Sequence, residues 1–141
     1  MRRLFLLVVS RIHVALFRVS SGRIGGRIGK RLPVLLLTTT GRKSGKRRTT
    51  PLLYVEDGGR LVVVASVGGA PKHPAWYLNL RADPRATVEV GRRTLAASAE
   101  TAGPEERARL WRQVTAMYPT YDSYQANTTR EIPIVILTPA G

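Results

Sequence analysis

The chain reads as a succession of short apolar runs punctuated by Gly, Pro and charged turns, with helical spacing in only a few places. Residues 33 to 40 (PVLLLTTT) form a continuous apolar run with β-branched residues, which predicts a buried strand. A Gly-punctuated basic loop, GRKSGKRR, follows over residues 41 to 48. Residues 49 to 56 and 60 to 67 read as two strands. The Asp57-Gly58-Gly59 between them predicts a hairpin, because Gly takes the positive φ that a tight turn needs. Pro74 opens a helical stretch, PAWYLNLRA, in keeping with the preference of Pro for a first turn. Residues 86 to 90 and 94 to 100 predict a second hairpin around Gly91. Residues 104 to 117 predict a helix with Glu105 and Glu106 in its first turn, where they complement the dipole. A Tyr-rich segment follows, and residues 132 to 138 close with a strand.

This order joins strands by hairpins where a doubly wound fold would have crossovers. It predicts an α+β domain, a mostly antiparallel sheet curled into a small barrel with peripheral helices. Ahead of the barrel, residues 1 to 20 place Phe5, Val8, Val9, Ile12, Ala15 and Leu16 on one helical face, with Arg3, Ser10, Arg11 and Arg18 opposite. Arg11 interrupts the apolar run after seven residues, well short of the roughly 20 a membrane span needs. A secretory cleavage site is poorly supplied as well. The expectation is an N-terminal amphipathic helix, with packing on the domain and docking on an anionic bilayer as its two readings. Residues 20 to 30 (SSGRIGGRIGK) read as a flexible joint. The expected division is residues 1 to 31 for helix and joint and 32 to 141 for the barrel.

Charge changes the picture. The chain carries 23 Lys+Arg against 9 Asp+Glu, a net +14, and 13 of the basic residues precede position 56 with no acid among them. Such a segregated excess points to a polyanionic partner: nucleic acid, an anionic membrane face, or a small molecule bearing phosphate or carboxylate. With no Cys and only His13 and His73, disulfides, thiol catalysis and Cys- or His-rich metal sites are all disfavoured. GRKSGK has neither the G-x-G-x-x-G fingerprint nor a Walker A spacing.

Three segments carry candidate chemistry. In residues 38 to 48, Ser44, the charges of Arg42, Lys43, Lys46, Arg47 and Arg48, and free backbone N–H groups could converge on an anion, although a charged turn is more often merely solvated. In residues 62 to 80, an apolar strand delivers Ser66 to a Gly-Gly loop ahead of a helix start at Pro74. There Trp76 and Tyr77 suit either a planar ring or the core. In residues 117 to 125 (MYPTYDSYQ), Tyr118, Tyr121 and Tyr124 share one face at a spacing of three, as a ligand wall or as a packing stripe.

Taken together and in this order, the segments resemble the deazaflavin-dependent nitroreductase family, split β-barrel (FMN-binding-like) oxidoreductases that use coenzyme F420. The residues that carry the resemblance are LLLTTTGRKSG (35 to 45), Pro51-Leu52, DGGRLVVVAS (57 to 66), the following GGA with Lys72 and Pro74, WYLNL (76 to 80), MYPTYDSYQ and IPIV (132 to 135). The resemblance implies that Arg42, Lys43, Ser44 and Arg48 hold the acidic tail of the coenzyme. It implies that Thr49, Thr50, Pro51, Leu52 and Leu53, with Val64, Ala65, Ser66 and Val67, flank the ring. Ala75, Trp76, Tyr77, Leu78 and Asn79 would supply the helix start near the phosphate.

The same resemblance implies hydride transfer from the reduced deazaflavin to a quinone, menaquinone in particular, or a nitroaromatic acceptor. Ser66 and Tyr124 would then polarise and protonate the acceptor, Tyr118, Tyr121 and Leu53 would form its wall, and Tyr121 would also border the coenzyme. The expected location is cytoplasmic, and peripheral on the inner membrane face if the bilayer reading of residues 1 to 20 holds rather than packing on the domain. Three positions depart from the family pattern: Leu53 and then Tyr54 where a Tyr follows Pro-Leu, Val67 where a Lys follows the serine, and Asn127 where a Trp occurs. Alternation along a strand keeps Tyr54 from standing in for Leu53. The competing readings are an FMN- or haem-binding protein on the same barrel and a basic nucleic-acid binder. The second is disfavoured because residues 38 to 50 hold no aromatic to stack on bases.

Overall fold

A computed structural model describes residues 27–28 and 32–140. The element order is β1 (Arg27–Ile28), β2 (Leu32–Thr40), β3 (Arg47–Leu53), β4 (Val55–Asp57), β5 (Arg60–Val64), a 3₁₀ turn (Val67–Gly69), α1 (Ala75–Ala82), β6 (Arg85–Val90), β7 (Arg93–Thr101), α2 (Pro104–Met117), α3 (Thr120–Ala126) and β8 (Ile134–Pro139). Every strand pairing is antiparallel, along the path β1-β2-β6-β7-β8-β5-β4 with β3 also on β2. The predicted α+β class and hairpin order hold. The amphipathic helix lies outside the described residues. Within the segment read as a joint, Arg27–Ile28 instead pair with Leu32 and Pro33.

Tyr54 alone separates β3 from β4, and the two behave as one bent strand: β3 pairs with β2, β4 with β5. One stretch of chain thus joins β2, next to one end of the sheet path, to β5, next to the other end, which curls the sheet into a split barrel. Arg47 and Arg48, expected in the basic loop, are already strand residues, opposite Thr40 and Thr39. The reason is local: Thr38, Thr39 and Thr40 keep β2 extended past its apolar part, so its partner extends equally far.

The strands β5 and β8 are buried on both faces. Leu61, Val63, Val135 and Leu137 enter the barrel core with Leu35, Leu37, Trp76, Tyr77 and Val88. Their neighbours Val62, Val64, Ile134 and Ile136 face a second core closed by Leu110 and Val114 of α2 and Tyr121 of α3. Strands with two apolar faces need continuous apolar sequence, which is why these segments do not alternate. Leu110 and Val114, four apart, form the buried stripe of an otherwise polar helix.

Charged residues tie α2 to the β4–β5 hairpin. Asp57 accepts from Arg60 at 2.7 Å and from both Arg109 nitrogens at 2.9 Å, and Glu106 also accepts from Arg60 and Arg109. The Arg109 and then the Arg60 hydrogen bonds hold the Asp57 carboxyl well below the usual carboxylate range. No helix among the described residues is long and apolar enough to cross a membrane.

Leu110 is fully buried in the second core. Leu110→Ala is expected to lower unfolding free energy by about 2–5 kcal/mol, measured by urea denaturation. A loss within about 0.5 kcal/mol, the range of a surface substitution, would show that this helix face does not close a core.

Candidate active site

The basic turn between β2 and β3 is exposed from Arg42 through Arg48, while Thr39 at the end of β2 is buried. Most of its backbone donors are already used. The Gly41 N–H donates to Lys46 O, Gly45 to Gly41 O, Lys46 to Ser44 Oγ and Arg42 to Asn79 Oδ1. The expected nest of free N–H groups is therefore corrected: what the turn offers an anion is side-chain charge. Among the described residues, no carboxylate lies within ion-pair distance of Arg42, Lys43, Lys46, Arg47 or Arg48. Arg47 instead donates to the Thr87 hydroxyl at 2.8 Å. Cations left unneutralised along one turn suit an anionic ligand.

Asn79 joins this turn to α1. Its side chain is buried, accepts from the Arg42 N–H at 3.1 Å and donates from Nδ2 to Thr39 Oγ1 at 3.1 Å. Helix α1 starts at Ala75 behind Pro74, with no side chain capping it. Trp76 and Tyr77 resolve in favour of the core. Both lie in the barrel interior, the Tyr77 hydroxyl bonds Thr101 Oγ1 at 3.0 Å, and the Tyr77 N–H donates to Pro74 O at 3.1 Å. A separate cleft of about 220 Å³ between α1 and β7 shares only Tyr77 and Leu80 with these three segments.

Beyond β5 the chain passes through Ala65 and Ser66, both buried, into the 3₁₀ turn. Val67 adopts φ 43° and is 51% exposed, an unusual conformation for a β-branched residue. Gly69, at φ 80°, lies so close to α3 that a Cβ there would stand 2.6 Å from Tyr124 O. Its absent side chain lets the serine turn rest on the tyrosine helix.

The three tyrosines do cluster, though not on one continuous helix. Tyr118 is the extended C-cap of α2, and Tyr121 and Tyr124 sit on α3. Ring centroids are 5.0 Å apart for Tyr118 and Tyr121, 6.3 Å for Tyr118 and Tyr124, and 6.2 Å for Tyr121 and Tyr124. Tyr121 is a buried pillar of the second core, and burial pushes its phenol up, so it stays protonated. The Tyr118 and Tyr124 hydroxyls meet at 3.3 Å. That bond, then burial, raises Tyr124 above its ordinary value, so it is a neutral donor at physiological pH. Leu53 packs against the second core, whereas Tyr54 and Leu52 turn to the barrel core, as alternation requires.

Sequence reasoning missed two residues. Arg130, between α3 and β8, donates to Ala65 O, Ser66 O and Ala70 O at 2.8–3.1 Å and contacts His73 Nδ1 at 3.0 Å. Nothing in the sequence separates this Arg from the other exposed ones, because its role comes from the approach of β8 to β5. Burial, then the nearby Arg130 and Arg81 charges, lowers the pKa of His73, so it stays neutral and accepts from Arg130.

A half-barrel that carries an unneutralised basic turn, a strand-end serine and a phenol donor has the parts of an oxidoreductase that works through a bound cofactor. The family model described as F420H(2)-dependent quinone reductase matches residues 9–139, and the chain belongs to that family. It is 44% identical over 131 residues to an F420H(2)-dependent quinone reductase of Mycobacterium tuberculosis (strain ATCC 25618 / H37Rv), spanning 91% of this chain and 88% of that protein. The solved structure of an F420-H2 dependent reductase, FDR-A, is 45% identical at a TM-score of 0.69, covering 74% of this chain and 93% of that one. A haem-binding protein of Mycobacterium smegmatis matches at 20% identity and a TM-score of 0.61, over 83% of this chain and 50% of that one, a likeness of fold alone. The enzyme is accordingly an F420H2-dependent quinone reductase, with reduced F420 as its coenzyme. The FMN and haem alternatives have no comparable support.

Two predictions follow from the turn. Gly69→Ala puts a Cβ against Tyr124 O at a positive φ. It should cost roughly 1–3 kcal/mol of stability in thermal or urea unfolding, and an unchanged midpoint would contradict the close approach. The ordinary His73 value is 6.5 and the folded one is lower, so the unfolded chain takes up the proton first on acidification. The His73 contribution is therefore complete above 6.5 and is lost as pH falls from there through the folded value. The difference in melting temperature between wild type and His73→Gln should shrink over that window; a pH-independent difference would show that His73 does not titrate in this way.

Proposed function

We propose that the three segments form one ligand cleft in which quinone reduction takes place, and the observation that carries this is their physical connection. Asn79 ties the basic turn to α1, and Gly69 seats the serine turn on the tyrosine helix. Arg42, Lys43, Ser44 and Arg48 hold the acidic tail through exposed, salt-sensitive contacts. Thr49 to Leu52 on β3, residues 64 to 67 and the start of α1 border the ring. Here the buried Ala65, Trp76, Tyr77 and Asn79 act through backbone and support rather than through exposed side chains. When bound, reduced F420 supplies a hydride from its C5. A quinone that accepts a hydride must also take up one proton to become a quinol.

Tyr124 holds that proton at Oη, kept there by its raised pKa, and Ser66 orients the acceptor oxygen. Tyr118 and Leu53 line the acceptor side, with Tyr121 fixing their positions from below. The closing of the second core around Tyr121 keeps that wall rigid, which favours one acceptor orientation. Menaquinone-like acceptors fit this apolar wall, and nitroaromatics would be reduced opportunistically. Residues 1 to 20, outside the described residues, would bring the enzyme to an anionic membrane surface that holds the quinone.

Anaerobic oxidation of reduced coenzyme, followed spectroscopically, tests the roles. Tyr124→Phe should lower kcat on the order of 10²-fold with coenzyme Kd nearly unchanged. Arg48→Ala should weaken Kd several-fold, in a salt-dependent way, with kcat nearly unchanged. Equal effects of both variants on both constants would overturn the assignment.

A further inference from the structure

The β5–β8 ladder runs from Leu61 opposite Leu137 to Val64 opposite Ile134, so the next pair in register is Ala65 with Pro133. The Ala65 N–H donates to Pro133 O at 3.0 Å. In an antiparallel pair of this kind the partner residue returns the bond, but a proline has no N–H to give. The side chain of Arg130 fills the vacancy: its Nη2 donates to Ala65 O at 3.1 Å and to Ser66 O at 2.8 Å. The same guanidinium reaches Ala70 O through Nε at 2.8 Å and His73 Nδ1 through Nη1 at 3.0 Å. One planar fork thus spans the stretch of chain that leaves β5 and approaches α1.

The fork is itself held in place. Gln125 of α3 donates to Arg130 O at 2.8 Å and accepts from the Ile132 N–H at 2.9 Å, fixing the backbone on both sides. All four partners of the guanidinium are neutral, and no carboxylate among the described residues pairs with it. A half-buried cation without a counter-charge is not a stabilising ion pair, and its pattern of donors matches the carbonyls of one turn, of which Ser66 O also accepts from the Gly69 N–H. That turn also holds Val67 at φ 43°, a conformation that persists only when its surroundings over-determine it.

We propose that Arg130 is a positioning residue for quinone reduction: its guanidinium replaces the backbone donor that Pro133 lacks and clamps the strained turn that presents Ser66 to the acceptor. The kinetic part of this rests on the reading of Ser66 given above, whereas the clamp does not. Lys keeps the charge but concentrates its donors on one nitrogen, which cannot reach four acceptors spread around a planar fork.

The test uses full-length Arg130→Lys, with amide hydrogen exchange of the coenzyme-free protein as its first readout. The Gly69 and Ala70 amides, which donate to Ser66 O and Val67 O, should exchange at least about tenfold faster, and those of Val62 and Val63 by less than about threefold. Its kcat should fall on the order of 10- to 100-fold with coenzyme Kd within about threefold. Adding Pro133→Ala, which restores a backbone donor opposite Ala65, should recover part of both losses. This second variant also keeps the test decisive if Arg130→Lys alone folds poorly. Wild-type exchange and kcat in Arg130→Lys, an even acceleration across the barrel, or no recovery with Pro133→Ala would overturn the proposal. Ser66→Ala separates the two readings: if it leaves kcat unchanged, the role of Ser66 fails while the exchange data still decide the clamp.

Discussion

The pairing of β5 with β8 is the interaction on which the rest of the structure depends. It is a ladder flanked by apolar side chains on both faces, the barrel interior on one side and the α2–α3 core on the other. Removing two strand faces from water at once is a large hydrophobic gain for so small a domain. The same pairing fixes where the chain can turn outward. Past Val64 the ladder stops at a proline, and from that point the chain is free to form the turn that carries Ser66.

Each functional segment is hung from the end of a buried element and anchored by a few polar bonds. The basic turn extends from β2 and is fixed by Asn79; the serine turn extends from β5 and is fixed by Arg130 and Gly69; the tyrosines follow α2 and are fixed by the burial of Tyr121. Rigid supports with irregular tips are the usual solution for holding a ligand while keeping every buried polar group satisfied. Charge is divided in the same way. Asp57 and Glu106 pair with arginines on the α2 side, whereas among the described residues no carboxylate pairs with the cations of the basic turn.

Much of this was legible from pattern. The hairpins at residues 58 and 91, the helix over residues 104 to 117 and the doubly apolar closing strand follow from glycine placement, capping and run composition. The basic turn was legible as charge, but the fate of its N–H groups was not, since they bond within the turn and to Asn79, which lies 37 residues beyond Arg42. Trp76 and Tyr77 were ambiguous because a core anchor and a ring-binding aromatic look alike in sequence. The Tyr118 spacing predicted one helical face, but Pro119 separates two helices there and the cluster forms across the break. Arg130 was invisible, because its meaning lies in a donor missing from Pro133 and in the long-range register of two strands.

The central claim is that the basic turn, the serine turn and the tyrosine helix make a single coenzyme and acceptor cleft. The most direct measurement is a backbone amide map, by NMR shifts or hydrogen exchange, of the protein with and without reduced F420 and a non-reactive quinone analogue. The account predicts that coenzyme alone perturbs residues 42 to 46 and 65 to 70 together, and that the analogue then extends the perturbation to residues 118 to 124. Perturbation confined to the basic turn, with the serine turn and tyrosine helix unchanged under both ligands, would contradict it.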